Sequence, residues 1–561
     1  MRSRKSVTVL AALASASLLP AAAYAAPENL AEDVATLLDK SIPADGPGAA
    51  VVVAEGGKVI YSGARGIADL EAGTPIAPAT VFRLASISKQ FAAATMLKLV
   101  EEGKLSLDDP LSKFFPDYPE PGASATVRQL LNHTSGIKSY TSMLGWMSEA
   151  NTARRYTSDE LIAEFKDQPA DFQPGDAWSY NNSGYVLVGA IIEKVTGRNW
   201  DQAIVEYISK PLGLTSIAGF GDEAAVPRMA KGYTNGEDDR PELARKIDMS
   251  VPGAAGALRG TVLDMAKWAD ALHGGKVISQ ASYAAMIAPT QLPGGKTQDY
   301  GFGIGPSDIR GYKTIGHNGG IFGFSTDSAY LPDKKIFVAV FFNSDSGPVN
   351  AGTLMRKIAA IAVDDAYPEF TPVTPNMAAL EQWFGVYQIN ETDSRKFFER
   401  DGKLFTARSG GSDMEVFAAG EGRFFYGPDN LTWFEIIPDV EGAPVMQMHP
   451  NGAEKPELAI YAGPMPKLET VNVPRTVLKS YVGEYTTPVG PMIISVTNDN
   501  VLMAKLGPQP IIPLAALNAT EFKVTVVDAK VRFTVEGGAV TGLVIEQAGQ
   551  SIAGERVAAE D

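Results

Sequence analysis

At 561 residues the chain is long enough for two to four domains with full-sized cores, and 45% hydrophobic with 20% charged residues describes an ordinary globular protein. A net charge of −16 argues against nucleic acid as a partner, and the absence of cysteine excludes disulfides, thiolate metal sites, cysteine nucleophiles and lipid attachment through cysteine. Four histidines without an H-E-x-x-H pattern argue against a metal enzyme, and the absence of G-x-S-x-G argues against an α/β-hydrolase.

The chain opens with Arg2, Arg4 and Lys5, an apolar run from Val7 to Leu19, then Pro20 and Ala23-Tyr24-Ala25. This pattern predicts a secretory signal over 1–25 cleaved after Ala25, with an uncleaved anchor as the alternative. Cleavage removes three positive charges and no negative one, taking the net charge to −19. No second span of about twenty apolar residues follows, so no stable membrane span is expected after processing. Export without disulfides is compatible with a Gram-negative periplasm.

Residues 27 to 40 read as a short helix, and Ala49 to Val53 with Val59 to Gly63 around Glu55-Gly56-Gly57 as a β-hairpin. From Ser86 to about Glu102 the spacing predicts a buried amphipathic helix, with Ser86 in its first turn. Helical spacing recurs at Val127 to Asn132, Ser158 to Lys166, Tyr185 to Thr196, Trp200 to Ile208 and Val262 to Leu272. Strands return at Tyr312 to Ile315, Phe322 to Leu331 and Lys335 to Phe342, before a helix from about Val349 to Val363. A sheet made of the first and last strands, with a helical insertion between them, is the expected assembly of a catalytic domain over 26–367.

Pro368, Pro372 and Pro375 mark a linker, after which strand-like alternation dominates. Gly385, Tyr387, Leu404, Val416 and Phe424 reappear 98 residues further on as Gly483, Tyr485, Leu502, Leu514 and Phe522. The repeat predicts two small antiparallel β-barrels, over 368–465 and 466–561. Trp383, Trp433 and Phe424 are read as core, with a ligand cup as the alternative.

Three short patterns carry the chemistry. Ser86-x-x-Lys89 places a hydroxyl and an amine on one helix face, and the helix dipole would lower the lysine pKa, which suits a base. Tyr180-Asn181-Asn182 offers a phenol to shuttle a proton and an amide to hold the lysine and the substrate. His317-Asn318-Gly319-Gly320 offers a glycine-rich strand along which a substrate backbone can lie. Each has a rival in the chain: Ser135-x-x-Lys138, Tyr233-Thr234-Asn235 and His273-Gly274-Gly275.

Taken together with Leu105-Ser106-Leu107-Asp108-Asp109-Pro110 and Leu130-Leu131-Asn132-His133-Thr134-Ser135-Gly136, these motifs make residues 30 to 365 resemble the serine β-lactamase and penicillin-binding-protein superfamily, specifically its class C β-lactamase-related hydrolases. The resemblance implies an α/β (α+β) transpeptidase-like fold with an antiparallel sheet and helical insertion. It implies Ser86 as nucleophile, Lys89 as base, Tyr180 as proton shuttle and Asn182 as a positioning group, with the N–H groups of Ser86 and Gly320 as the oxyanion site. It also assigns Ser135 to a different segment, and it implies no metal or other cofactor. Where β-lactamases have Lys-Thr-Gly this chain has His317-Asn318-Gly319, which is similar to family esterases and D-aminopeptidases and disfavours recognition of a carboxylate there. D-aminopeptidases also resemble this chain in carrying two C-terminal lipocalin-like barrels. The expected partner is a small-molecule or peptide substrate. The alternatives are an esterase and a slow, cell-wall-binding penicillin-recognising protein whose β-domains do the work.

Overall fold

The computed structural model describes residues 27–557, apart from 220, 222, 237, 348, 428, 439–441, 466–469, 499, 508, 510, 526 and 548. The expected signal segment lies outside the described residues. Helix α1 (Leu30–Ser41) precedes the hairpin of β1 (Ala49–Glu55) and β2 (Lys58–Arg65). After the helical insertion come β3 (Gly305–Ile309), β4 (Tyr312–Ile321), β5 (Phe324–Leu331) and β6 (Ile336–Phe342).

These six strands form one antiparallel sheet in the order β3-β4-β5-β6-β1-β2, with Ala49 of β1 opposite Phe342 of β6. The two ends of the domain therefore meet in mid-sheet, as the chain order suggests. Alternation sends Ala50, Val52 and Ala54 into the core shared with the insertion, and Ala49, Val51 and Val53 into a second core against α1. Both faces are covered, so β1 and β6 are near-continuous apolar runs rather than alternating ones. The last helix of the domain, Ala351–Ala362, starts where the Asn350 side chain accepts the Thr353 N–H and packs on the second core.

The insertion is helical as expected, at Val127–Leu131, Ser158–Phe165, Asn182–Thr196 and Val262–His273, each opened by a Thr or Asn cap. Three local readings need correction. The α-helix α2 begins at Ser88 and runs to Glu101, whereas Ser86 lies in a 3-10 turn, Ala85–Ile87, ahead of it. The helix at Trp200–Ile204 widens into a π-turn over Val205–Ser209 just before Pro211, whose missing N–H cannot continue the α ladder. Strand β4 runs on through His317-Asn318-Gly319-Gly320 instead of stopping at Ile315.

Beyond residue 384 two closed eight-stranded antiparallel barrels follow, each a simple meander. The repeat is structural: Leu404 pairs with Val416 as Leu502 pairs with Leu514. In both copies a buried tyrosine donates to the carbonyl four residues earlier, Tyr387 to Trp383 and Tyr485 to Tyr481, each at 2.7 Å. Phe424 is buried against Phe397 and Phe434, and Trp433 stacks on His449, so these aromatics build the barrel rather than a cup. The first barrel meets the catalytic domain at the turn before β4, where Arg310 donates to the Gly452 carbonyl and pairs with Asp365 at 2.6 Å. That is the end of β4 remote from His317. Among the described residues no helix is long and apolar enough to cross a membrane.

Candidate active site

The site forms where three parts of the chain converge: the Ser86 turn with α2, the start of the helix Asn182–Thr196, and the second half of β4. Ala85, just before Ser86, has a φ of 49°, a backbone region that a residue with a Cβ rarely occupies. The strained turn holds Ser86 where its Oγ lies 3.0 Å from Lys89 Nζ.

Lys89 is fully buried, and its Nζ also lies 2.9 Å from Asn182 Oδ1 and 2.7 Å from the Ala255 carbonyl. Burial lowers its pKa well below the ordinary lysine value. The cause is desolvation and not the helix dipole expected from the position of Lys89 in the first turn. The three oxygens can take the three N–H groups of an ammonium; once the amine is neutral, two N–H groups keep Asn182 and Ala255 and the lone pair is left for the Ser86 hydroxyl proton.

Tyr180 lies beside this pair, its ring 4.8 Å from Lys89 Nζ and its hydroxyl in hydrogen-bond contact with the Ser86 side chain. Burial raises the phenol above its usual pKa, against the opposing effect of that hydrogen bond, so Tyr180 stays protonated at neutral pH. Asn181 caps the helix by accepting the Gly184 N–H, and Asn182, in the first turn, donates through Nδ2 to Thr141 Oγ1 at 3.2 Å. That second contact fixes which way the Asn182 amide faces Lys89.

On the other side of the cleft, glycine permits close approach. A Cβ on Gly319 would lie 2.4 Å from the Leu84 carbonyl oxygen and 3.0 Å from Ala85 Cβ, whereas one on Gly320 would meet nothing within 4 Å. Gly319 therefore seats β4 on the Ser86 turn, and Gly320 faces open space. Strand β3 pairs with β4 only as far as Gly316, so the edge from His317 to Ile321 is free of β3. We expect Gly319→Ala to push β4 off the turn and to lower kcat/KM by about 10²-fold, the cost of roughly 1 Å of misplacement, in steady-state assays.

His317 is buried and committed on both ring nitrogens. Nδ1 donates to the Asn318 carbonyl at 2.5 Å, which leaves Nε2 to accept the Tyr300 O–H at 2.9 Å. Burial and then the nearby Lys89 bring its pKa down to about 4, against the opposing backbone hydrogen bond, so the ring is neutral at pH 7. Asn318 itself is exposed on the face opposite Gly319, and its part in this network is its carbonyl.

Sequence reasoning missed the partners of these groups. Tyr300 is one, and the signal for it was Tyr300-Gly301-Phe302-Gly303, where a Cβ on Gly303 would lie 2.5 Å from the Lys89 carbonyl oxygen. His133 is the other, noticed only as part of a motif. Held at a φ of 65°, it accepts the Asn181 N–H on Nδ1 and packs its ring 4.4 Å from that of Tyr180. Tyr300→Phe should strand the His317 acceptor and cost about 1–3 kcal/mol in urea unfolding.

The rival patterns are structural. Ser135 Oγ accepts the Ile137 N–H while Lys138 pairs with Asp171 at 2.7 Å, Tyr233 accepts the Leu70 N–H, and His273 stacks on Tyr330.

A serine held by a strained turn against a buried lysine, beside a protonated tyrosine and a strand edge free of β3, defines a serine hydrolase. The chain belongs to the beta-lactamase family, whose model matches residues 37–362. A D-aminopeptidase of Brucella anthropi is 28% identical to it over 383 residues, 67% of this chain and 71% of that protein. Esterase EstB of Burkholderia gladioli is 33% identical over 224 residues, 37% of this chain and 56% of that protein. Among solved structures, the octameric penicillin-binding protein homologue from Pyrococcus abyssi matches with a TM-score of 0.55 at 25% identity, over 76% of this chain and 99% of that one.

Proposed function

We propose that the protein is a periplasmic hydrolase of small peptides and amides, of the D-aminopeptidase or carboxypeptidase type, working through an acyl-Ser86 ester. The observation that carries this reading is Lys89 Nζ, buried 3.0 Å from Ser86 Oγ and held by the Asn182 and Ala255 oxygens, so that on losing a proton it can turn its lone pair to the serine hydroxyl. Lys89 takes the hydroxyl proton as Ser86 Oγ attacks the substrate carbonyl. The N–H groups of Ser86 and Gly320 receive the oxyanion, an interaction worth about 3–4 kcal/mol per donor in related chemistry. Tyr180, protonated beside Ser86, passes its proton to the leaving group and recovers one from Lys89, which returns both to their starting states; water, giving its proton to the same pair, then releases the acyl group and Ser86 is reprotonated.

The peptidase type is supported by the similarity to a D-aminopeptidase across two thirds of this chain. Periplasmic location rests on the N-terminal pattern alone. An esterase is the second reading: His317, which has no ring nitrogen left for a substrate carboxylate at the position where a lysine would bind one, suits an ester as well as a D-aminopeptidase substrate and weighs against the carboxypeptidase type. A slow penicillin-recognising protein with ligand-binding β-domains has less support, because the barrel interiors are filled by their own side chains.

The test is to incubate mature protein and Ser86→Ala with p-nitrophenyl esters, D- and L-amino-acid anilides, short peptides and a cephalosporin. An acyl adduct on the intact mass of the wild type, and faster turnover of a D-anilide than of its L-isomer, is the expected result. Turnover of esters alone selects the esterase. Equal turnover by the alanine variant refutes the Ser86 mechanism.

A further inference from the structure

The segment from Ala244 to Val251 crosses from the sheet to the helical insertion. At the sheet side the Ala244 N–H donates to the Gly232 carbonyl at 2.9 Å, and Gly323, in the turn that ends β4, lies so close that a Cβ there would be 2.8 Å from Ala244 Cβ. At the other side the Asp248 N–H donates to Thr152, and the Val251 carbonyl accepts from Tyr140 Oη. Tyr140 in turn gives its N–H to Ser183, next to Asn182. The segment thus straps the cleft between its two walls.

Arg245 stands on this strap. It is exposed, and its guanidinium lies 4.1 Å from the centroid of the Phe322 ring. Phe322 follows Gly320 by two residues and is half-buried on the catalytic core. Among the described residues Arg245 forms no ion pair. Asp345, in the loop after β6, is engaged by the Gly323 N–H at 2.7 Å. Stacking orders a guanidinium without using its N–H donors, so the fork stays free for a planar anion.

The direction of the substrate follows from Tyr180. Its ring lies 6.1 Å from that of His317, so the group that takes its proton leaves on the His317 side of Ser86. The acyl part then runs the other way along the free edge, past Gly320 toward Phe322. Building on the acyl-Ser86 reading, we propose that Arg245 recognises an anionic group on the acyl part of the substrate, so that the enzyme prefers acyl groups ending in a carboxylate. His317, neutral and internally bonded, has lost that capacity on the leaving-group side, and the strap supplies it on the acyl side.

The test compares p-nitrophenyl valerate with mono-p-nitrophenyl glutarate, which replaces the terminal methyl by a carboxylate, in wild type and in Arg245→Gln, Arg245→Lys and Arg245→Glu. Arg245→Gln should lower the glutarate-to-valerate ratio of kcat/KM about five-fold, as expected of one solvent-screened ion pair, with the loss in the KM for glutarate. Arg245→Glu should lower it further, Arg245→Lys should retain most of it, and about 0.5 M salt should shrink the wild-type ratio toward that of Arg245→Gln. Ser86-dependent turnover of valerate with one ratio across all four proteins overturns the Arg245 assignment and leaves the acyl-Ser86 reading standing. Absence of turnover of both esters, with no acyl adduct on the wild type, overturns both.

Discussion

Ser86→Ala is expected to abolish the acyl adduct and to lower turnover by about 10⁴-fold or more, the loss seen when the nucleophile of a coupled serine site is removed. The residual rate reflects an oxyanion site and a substrate groove that remain intact. The fold should survive, because Lys89 Nζ keeps its bonds to Asn182 and Ala255 and only the Ser86 hydroxyl's contacts with Lys89 and Tyr180 are lost. Stability within about 1 kcal/mol of wild type is therefore expected by urea unfolding. Ser135→Ala is the informative comparison. Its hydroxyl accepts only a local N–H, and the neighbouring Lys138 is bound to Asp171, so the adduct should still form on that variant.

Lys89→Met should move activity and stability in opposite directions. Without the base, the rate should fall by about 10³-fold or more, at the upper end of what general base catalysis contributes. Stability should hold or rise, since an apolar side chain of similar size replaces an amine whose burial disfavours its charge. The sign follows from proton binding. Between its lowered folded pKa and the ordinary lysine value near 10.5, Lys89 binds fewer protons folded than unfolded, so wild-type stability rises with pH across that window. Lys89→Met should flatten that slope in unfolding curves taken at several pH values.

The same shifts shape the pH–rate profile. kcat/KM should rise with pH as Lys89 loses its proton, well below the ordinary lysine value, and should fall only where the raised Tyr180 phenol ionises. His317, at about 4, is neutral across the neutral range and cannot supply an acid limb there. A profile whose acid limb survives in a Lys89 variant and disappears in His317→Gln would reverse these assignments.

Much of the site was legible in order before it was legible in space. Ser86 and Lys89 are three residues apart, and that spacing brings them together even though the α-helix begins only at Ser88. The repeat at an offset of 98 residues gave both barrels, because each copy needs the same buried positions, such as Tyr387 and Tyr485, to fill a closed meander. The reason for the lowered lysine pKa was misjudged: a dipole can be read from a helix start, but burial depends on Asn182, Ala255 and Tyr185, which arrive from far along the chain. Tyr300 and His133 stayed hidden for the same reason, since nothing local shows that one donates to His317 and the other holds the Asn181 N–H.

By itself, then, the sequence determined the fold class, the two barrels, the serine and its lysine, and the order of the Tyr180 and His317 motifs. These follow from local spacing, apolar periodicity and repetition, which act within a few turns of chain or recur along it. Only the tertiary structure decided that the Tyr180 and His317 patterns meet at Ser86 while Tyr233 and His273 make other contacts, that Lys89 is dry, that both His317 nitrogens are spent, and that Arg245 stands over the far end of β4. Those outcomes depend on contacts between segments tens to hundreds of residues apart, where desolvation and hydrogen-bond partnership are set by whatever the fold brings alongside.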